Sequence, residues 1–159
     1  MDYRFIELTH IDPGLSRQIM AIEQEAFGPG GLNEWFLPPF IRYGRVFVLL
    51  DQETVVAAAE YMRSFADPQH AYLFGLAVKK AYRGRGLGKL LLTRSLKSLQ
   101  RGGFRTVSLT VDPQNTAAVN LYISLGFRQA GFCKDEYGPQ QDRLLLVLNL
   151  PVEEAHNGA

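Results

Sequence analysis

The sequence predicts a mixed α/β or α+β fold built on one sheet. Three observations lead there: strand-length apolar runs precede and follow helix-length amphipathic segments, no repeat, low-complexity tract or linker divides the chain, and its 159 residues match one ordinary domain. Residues 1–150 are expected to form that single domain, with 151–159 a polar, flexible tail after Pro151.

Composition excludes more than it identifies. Apolar residues make up 47% and charged residues 21%, close to soluble globular averages, which excludes disordered, collagen-like and disulfide-rich classes. A formal net charge of +1 gives no general field for gripping nucleic acid or an acidic membrane, so any anion site is local. The single cysteine, Cys133, has no internal disulfide partner and no metal-ligand or thiol-nucleophile pattern near it; it reads as a small apolar residue. No signal peptide is visible in the first 25 residues and the longest apolar stretches are strand-sized. The expectation is a cytoplasmic protein without metal, membrane or nucleic-acid partners, monomeric or homodimeric.

Arg4 to Thr9 reads as a strand, followed by Asp12-Pro13, an N-cap with proline at the first helical position, and by Leu15, Ile19, Ile22 and Ala26 at helical spacing. Gly28 to Gly31 breaks that helix, and Asn33 is placed to cap a short second one carrying Trp35, Phe36 and Phe40. Arg45–Leu50 and Thr54–Phe65, joined by Asp51-Gln52-Glu53, read as a hairpin, and Ala71–Lys79 as the next strand. From Gly88, Leu91, Ser95 and Leu99 share a helix face, which Gly102-Gly103 ends. Val107, Leu109 and Val111 alternate with Thr106, Ser108 and Thr110, the pattern of a half-buried strand. Asn115 then caps a helix through Leu125, Gly126 stops it, and Gly131–Tyr137 and Arg143–Leu150 form a final strand pair.

The loop Arg83-Gly84-Arg85-Gly86-Leu87-Gly88-Lys89 joins a strand end to a helix start. Glycine permits close approach, the helix end adds partial positive charge, and Arg83, Arg85 and Lys89 add full charges, so backbone N–H groups can cradle a diphosphate. Neither a dinucleotide fingerprint nor a P-loop fits, because Lys89 and Arg83 stand where those motifs need glycine. Spacing alone leaves two readings open, an anion nest or a glycine-rich turn with a solvated basic rim.

With Arg83, Gly86 and Gly88 in place, the chain resembles the GNAT superfamily of N-acyltransferases, whose loop reads Gln or Arg, two residues, Gly, one residue, Gly or Ala. Leu76-Ala77-Val78 is similar to the end of the family's fourth strand, and the run from Asn115 through Leu121-Tyr122 to Leu125-Gly126-Phe127 to its later helix-to-strand motif. The match is close over residues 71–132 and follows only element order over 1–66. Within the family the chain most resembles the ribosomal-protein and other peptide N-terminal acetyltransferases.

The resemblance implies an α+β fold, a strongly bent mixed sheet of about seven strands flanked by about four helices. Its fourth and fifth strands would splay apart around the pantetheine arm of acetyl-CoA, the cosubstrate. Leu76, Ala77 and Val78 would pair with that arm, Ala77 or Val78 supplying the oxyanion N–H. Gly84 to Lys89 (Gly84, Arg85, Gly86, Leu87, Gly88, Lys89) would take the pyrophosphate with Arg83.

Acyl transfer needs a proton donor for the departing thiolate, and the resemblance implies Tyr122, on one helix face with Asn115 and Ala118. Read without it, Tyr122 is a packed core aromatic and Asn115 an N-cap, to which a cofactor contact is additional. For the base, the family's fifth-strand carboxylate or histidine is here Thr110, and its fourth-strand position is Tyr72, the first candidate; Glu60 is the alternative, against the simpler reading of a surface carboxylate. Trp35, Phe36, Phe40 and Tyr137 are expected to wall the acceptor site. The expected activity is acetyl transfer to a primary amine, of a peptide or a small molecule, by direct attack in a ternary complex. The alternative is a silent acyl-CoA-binding sensor or scaffold.

Overall fold

The computed structural model describes residues 2–152. In chain order its elements are β1 (Arg4–Glu7), α1 (Pro13–Phe27), α2 (Leu37–Tyr43), β2 (Arg45–Asp51), β3 (Thr54–Arg63), β4 (His70–Val78), α3 (Leu87–Arg101), β5 (Thr106–Val111), α4 (Thr116–Ser124), β6 (Arg128–Cys133) and β7 (Arg143–Asn149). The seven strands form one sheet in the order β1-β2-β3-β4-β5-β7-β6. Pairing is parallel between β4 and β5, where His70, Ala71 and Tyr72 meet Thr106, Val107 and Ser108, and antiparallel for β1 with β2, β2 with β3, β5 with β7 and β6 with β7. Seven strands and four helices among the described residues agree with the mixed sheet expected from the sequence. No described helix is long and apolar enough to cross a membrane. Beyond residue 152, the tail expected from the sequence lies outside the described residues.

The chain divides into two compact units, Met1–Met62 with Leu73–Ser95, and Arg63–Tyr72 with Leu96–Ala159. In the first, α1 begins as its cap chemistry dictates: Asp12 Oδ1 accepts from Leu15 N at 2.9 Å and Pro13 stands at the start of the helix. The helix lays Ile19 and Ile22 against Val46, Val48, Leu50, Val55, Ala58 and Ala77 of the sheet, with Leu37, Phe40 and Ile41 of α2 completing the core. Burying a side chain such as Ile19, which is fully enclosed, stabilises the fold by roughly 1.5–3 kcal/mol. In the same unit, Ser95 Oγ of α3 donates to the Leu92 carbonyl and lies 2.8 Å from Tyr61 Oη of β3.

In the second unit β7 lies between β5 and β6, with Leu109 opposite Leu146. Both are buried, as are Val107, Phe104 and Phe127. The α4 cap follows the sequence, with Asn115 Oδ1 accepting from Ala118 N at 3.2 Å. Two local expectations are corrected. Asn33 caps a turn, its Oδ1 accepting from Trp35 N at 2.9 Å, and α2 starts only at Leu37, so Trp35 and Phe36 precede the helix. β6 is Arg128–Cys133 and ends before Tyr137, because Asp135 (φ +52°) turns the chain and accepts from Gln140 N at 2.8 Å.

Candidate active site

In the first unit the chain leaves β4 at Val78, makes a single 3-10 turn at Lys80–Tyr82, and passes through Arg83–Gly86 into α3. Gly84 and Gly86 adopt φ of +78° and +75°, the left-handed region that penalises any Cβ. No atom lies within 4 Å of the Cβ position at either residue, so the requirement is conformational. The first helical bond runs from Leu90 N to Gly86 O at 3.0 Å. The amides of Leu87, Gly88 and Lys89 therefore belong to the first turn, where no helical acceptor is available and an anion is the natural partner.

Both loop arginines are tied down through the backbone. Arg83 Nε donates to the Val78 carbonyl at 3.1 Å, and Arg85 donates to the Ala81 carbonyl at 3.3 Å while its guanidinium sits 4.8 Å over the Tyr82 ring. Tyr82 is held by Asp51, its hydroxyl donating to Oδ2 at 2.9 Å. Arg83, Gly84, Arg85, Gly86 and Lys89 are exposed, whereas Leu87 is buried and anchors the helix start. The loop thus presents fixed positive charge and open backbone to solvent. Ahead of it on β4, Ala77 is buried, and Leu76 and Val78 are half-buried on the opposite face.

In the second unit Tyr122 and Tyr137 both lie close to Tyr72, which bonds Thr110. Tyr72 Oη lies 2.9 Å from Thr110 Oγ1. Burial raises the Tyr72 phenol above its usual 10, as do Tyr137 and Glu136, while the Thr110 bond opposes them. Tyr122 is only 8% exposed and packs edge-on against Phe127 with ring centres 5.7 Å apart. Burial first, and the nearby Tyr72 second, push its phenol up to about 12. Tyr137, at 61% exposure, carries the Arg143 guanidinium 5.0 Å over its ring. At neutral pH Tyr72 and Tyr122 therefore carry their phenolic protons.

Glu60 has a different setting from the expected exposed or cleft-lining carboxylate. It is fully buried on β3 beside Glu23 of α1, which is 2% exposed. Burial raises both carboxyls, Glu60 well above 4.5, with Glu23 raising it further. Glu23 went unmarked in the sequence, although it stands four residues after Ile19 and beside Ile22 in the apolar stripe of its helix, where a charged residue is unexpected.

This carboxyl sets a pH dependence of stability. The native state retains a proton on Glu60 that the unfolded chain releases as pH passes about 4.5, so stability falls as pH rises from there through the raised native pKa. Glu60→Gln removes the ionisable group and is expected to be more stable than wild type at pH 8 by roughly 1–3 kcal/mol, with little difference at pH 5. Thermal unfolding midpoints across that range check this; parallel curves would contradict it.

Of the expected acceptor wall, Trp35 is 77% and Phe36 57% exposed in the first unit, while Tyr137 belongs to the second. Phe40 is buried and packs on Phe74 with ring centres 5.1 Å apart.

Comparison with known proteins agrees with this architecture. Residues 16–127 match the family described as acetyltransferase (GNAT) family. The chain is 34% identical over 102 residues to a ribosomal protein bS18-alanine N-acetyltransferase of Salmonella typhimurium, covering 61% of this chain and 69% of that protein. Among solved structures it is similar to the ribosomal-protein-S18-alanine N-acetyltransferase of Escherichia coli, with a TM-score of 0.79, 25% identity and coverage of 97% of this chain and 98% of that one. It also shares the fold of a Bacillus subtilis acetyltransferase in complex with CoA, with a TM-score of 0.78, 15% identity and coverage of 94% and 100%.

Proposed function

The chain belongs to the acetyltransferase (GNAT) family and is an N-acetyltransferase, and we propose that it moves the acetyl group of acetyl-CoA onto the α-amine of a protein or peptide N-terminus, by direct attack within a ternary complex. The observation that carries the acceptor class is the likeness to N-acetyltransferases named for the alanine of a ribosomal protein. On that reading residues 1–150 act as one catalytic domain.

The amides of Gly84 to Lys89, with Arg83, take the pyrophosphate; the loop's positive φ at Gly84 and Gly86 and its exposed cations support this. Leu76, Ala77 and Val78 bind the pantetheine arm through their backbone, and an N–H at Ala77 or Val78 stabilises the tetrahedral oxyanion. Asn115 adds a cofactor contact to its capping bond. Trp35, Phe36 and Tyr137 supply exposed aromatic surface for the first residues of the acceptor.

The amine nitrogen forms the C–N bond, the C–S bond breaks, and Tyr122 donates its phenolic hydrogen bond to the departing sulfur. Between the two groups expected as base, the raised phenol of Tyr72 stays protonated at neutral pH and serves as a donor that orients its neighbours. Glu60, the alternative, keeps its carboxyl protonated through burial and the Glu23 neighbour, so it takes up a proton only by passing its own on.

Thiol release from acetyl-CoA tests the reading across a panel of peptide N-termini, polyamines, aminoglycosides and amino acids. Turnover concentrated on peptides with a free α-amine is expected. Turnover confined to small amines would move the acceptor class, and cofactor binding without turnover on any acceptor would return the protein to the silent-module reading.

A further inference from the structure

The face of the sheet beneath α1 is apolar except at one point. Glu60 pairs across the sheet with Val46 and shares its face with Ala58 and Val48, all fully buried. Against these aliphatic residues both Glu60 oxygens and Glu23 Oε1 have no hydrogen-bond partner. Glu23 Oε2 receives only a long bond, 3.4 Å from Leu32 N. The groups facing the two carboxyls are Val46 on β2, Gly75 on β4, the Leu32 amide and each other. Neither carboxyl is paired with a cation among the described residues. Two carboxylates left like this would be strongly unfavourable, whereas two carboxyls holding one proton between them satisfy a lone pair on each and carry a single charge.

Gly75 makes the arrangement possible. A Cβ at that residue would fall 2.6 Å from Glu60 Oε2 and 3.5 Å from Glu23 Oε1, so a carboxyl from β3 occupies the space that a β4 side chain would fill. Gly75 is half-buried and directly precedes Leu76–Val78, the segment assigned above to the thioester arm.

We propose that Glu23 and Glu60 share one proton beneath Gly75 and together take up the proton that the acceptor amine loses. The proposal rests on the N-acetyltransferase reading above and adds Glu23 to it. As the amine nitrogen bonds to the acetyl carbon and the thiolate leaves with the C–S electron pair, the amine proton passes through water at Gly75 to Glu60, and the proton already on Glu60 moves to Glu23. The pair ends neutral, the state that burial favours, and returns its proton to solvent after product release. Glu23 is a positioning residue acting through Glu60: its charge keeps the shared proton on its neighbour.

Steady-state kinetics with an alanine-first peptide, from pH 5 to 9, test this in wild type, Glu23→Gln and Glu60→Gln, alongside acetyl-CoA binding by calorimetry. Glu60→Gln is expected to lower kcat by about a hundredfold with acetyl-CoA affinity unchanged. Glu23→Gln is expected to move the acidic limb of kcat/KM to higher pH, because the limb then reports protonation of a lone buried Glu60 carboxylate, without the shared proton that stabilises the pair's single charge. Active wild type with both variants keeping its kcat and its limb would overturn the shared-proton pair alone. Wild type inactive on every peptide would overturn the acceptor reading and the pair with it.

Discussion

Replacing Tyr122 by phenylalanine is expected to lower kcat by about a hundredfold while leaving the affinity for acetyl-CoA within about twofold. The argument starts from the environment of the hydroxyl. Burial and the Tyr72 neighbour push the phenol up to about 12, against about 8.5 for an ordinary thiol. The difference of about 3.5 pK units makes complete proton transfer to a free thiolate uphill by about 5 kcal/mol. Tyr122 therefore acts as a hydrogen-bond donor whose bond strengthens as charge develops on sulfur, a contribution realised in the transition state. A second consequence concerns pH: titration of Tyr122 adds no alkaline limb to the rate profile below about pH 11. Phenylalanine keeps the edge-on packing against Phe127, whose ring centre is 5.7 Å away, so folding is not the confounding effect. Equal kcat in the two proteins would remove Tyr122 from the chemistry.

Gly86→Val is expected to act on the other kinetic constant. At φ of +75° a β-branched residue is a genuine outlier costing about 1–3 kcal/mol. The substitution forces the loop out of its turn immediately before the helix bond from Leu90 N to Gly86 O. The first-turn amides would then no longer converge, and KM for acetyl-CoA should rise about ten- to hundredfold, with kcat at saturation falling much less. Acetyl-pantetheine, a truncated thioester donor that lacks the pyrophosphate, provides the control, because with it the two proteins should be nearly equal. A uniform loss on every donor would mean that Gly86 serves folding and not anion binding.

What the sequence made legible is what local chemistry encodes. β5 was readable to the residue because Val107, Leu109 and Val111 alternate with polar partners, and α1 and α4 because Asp12 and Asn115 cap them through their own side chains. The glycines of the Arg83–Lys89 loop marked a turn, and the structure adds that Gly84 and Gly86 take positive φ there. The placement of β7 between β5 and β6 was hidden, since adjacent hydrophobic runs show that strands pair and not where the pair docks. Asn33 was misassigned because an Asx turn and a helix cap use the same side-chain bond to the backbone.

The carboxyl pair was missed for a related reason. Glu60 sits in a run of apolar strand residues and Glu23 in the apolar stripe of an amphipathic helix, and each alone reads as an irregularity. Gly75 in a strand was the third sign, because a glycine there often marks a close approach. Only the fold joins them, by placing the Glu60 carboxyl 2.6 Å from the absent Cβ.

The central claim, direct transfer from acetyl-CoA to an α-amine, is tested most directly by one mass-spectrometric experiment. The protein is mixed with acetyl-CoA and quenched before and after addition of an alanine-first peptide that also contains lysine. The account predicts no acetylated protein before the peptide is added, and one acetyl group on the α-amine afterwards, with the lysine unmodified. Acetylated protein before the peptide arrives, or an acetyl group confined to the lysine, would contradict it.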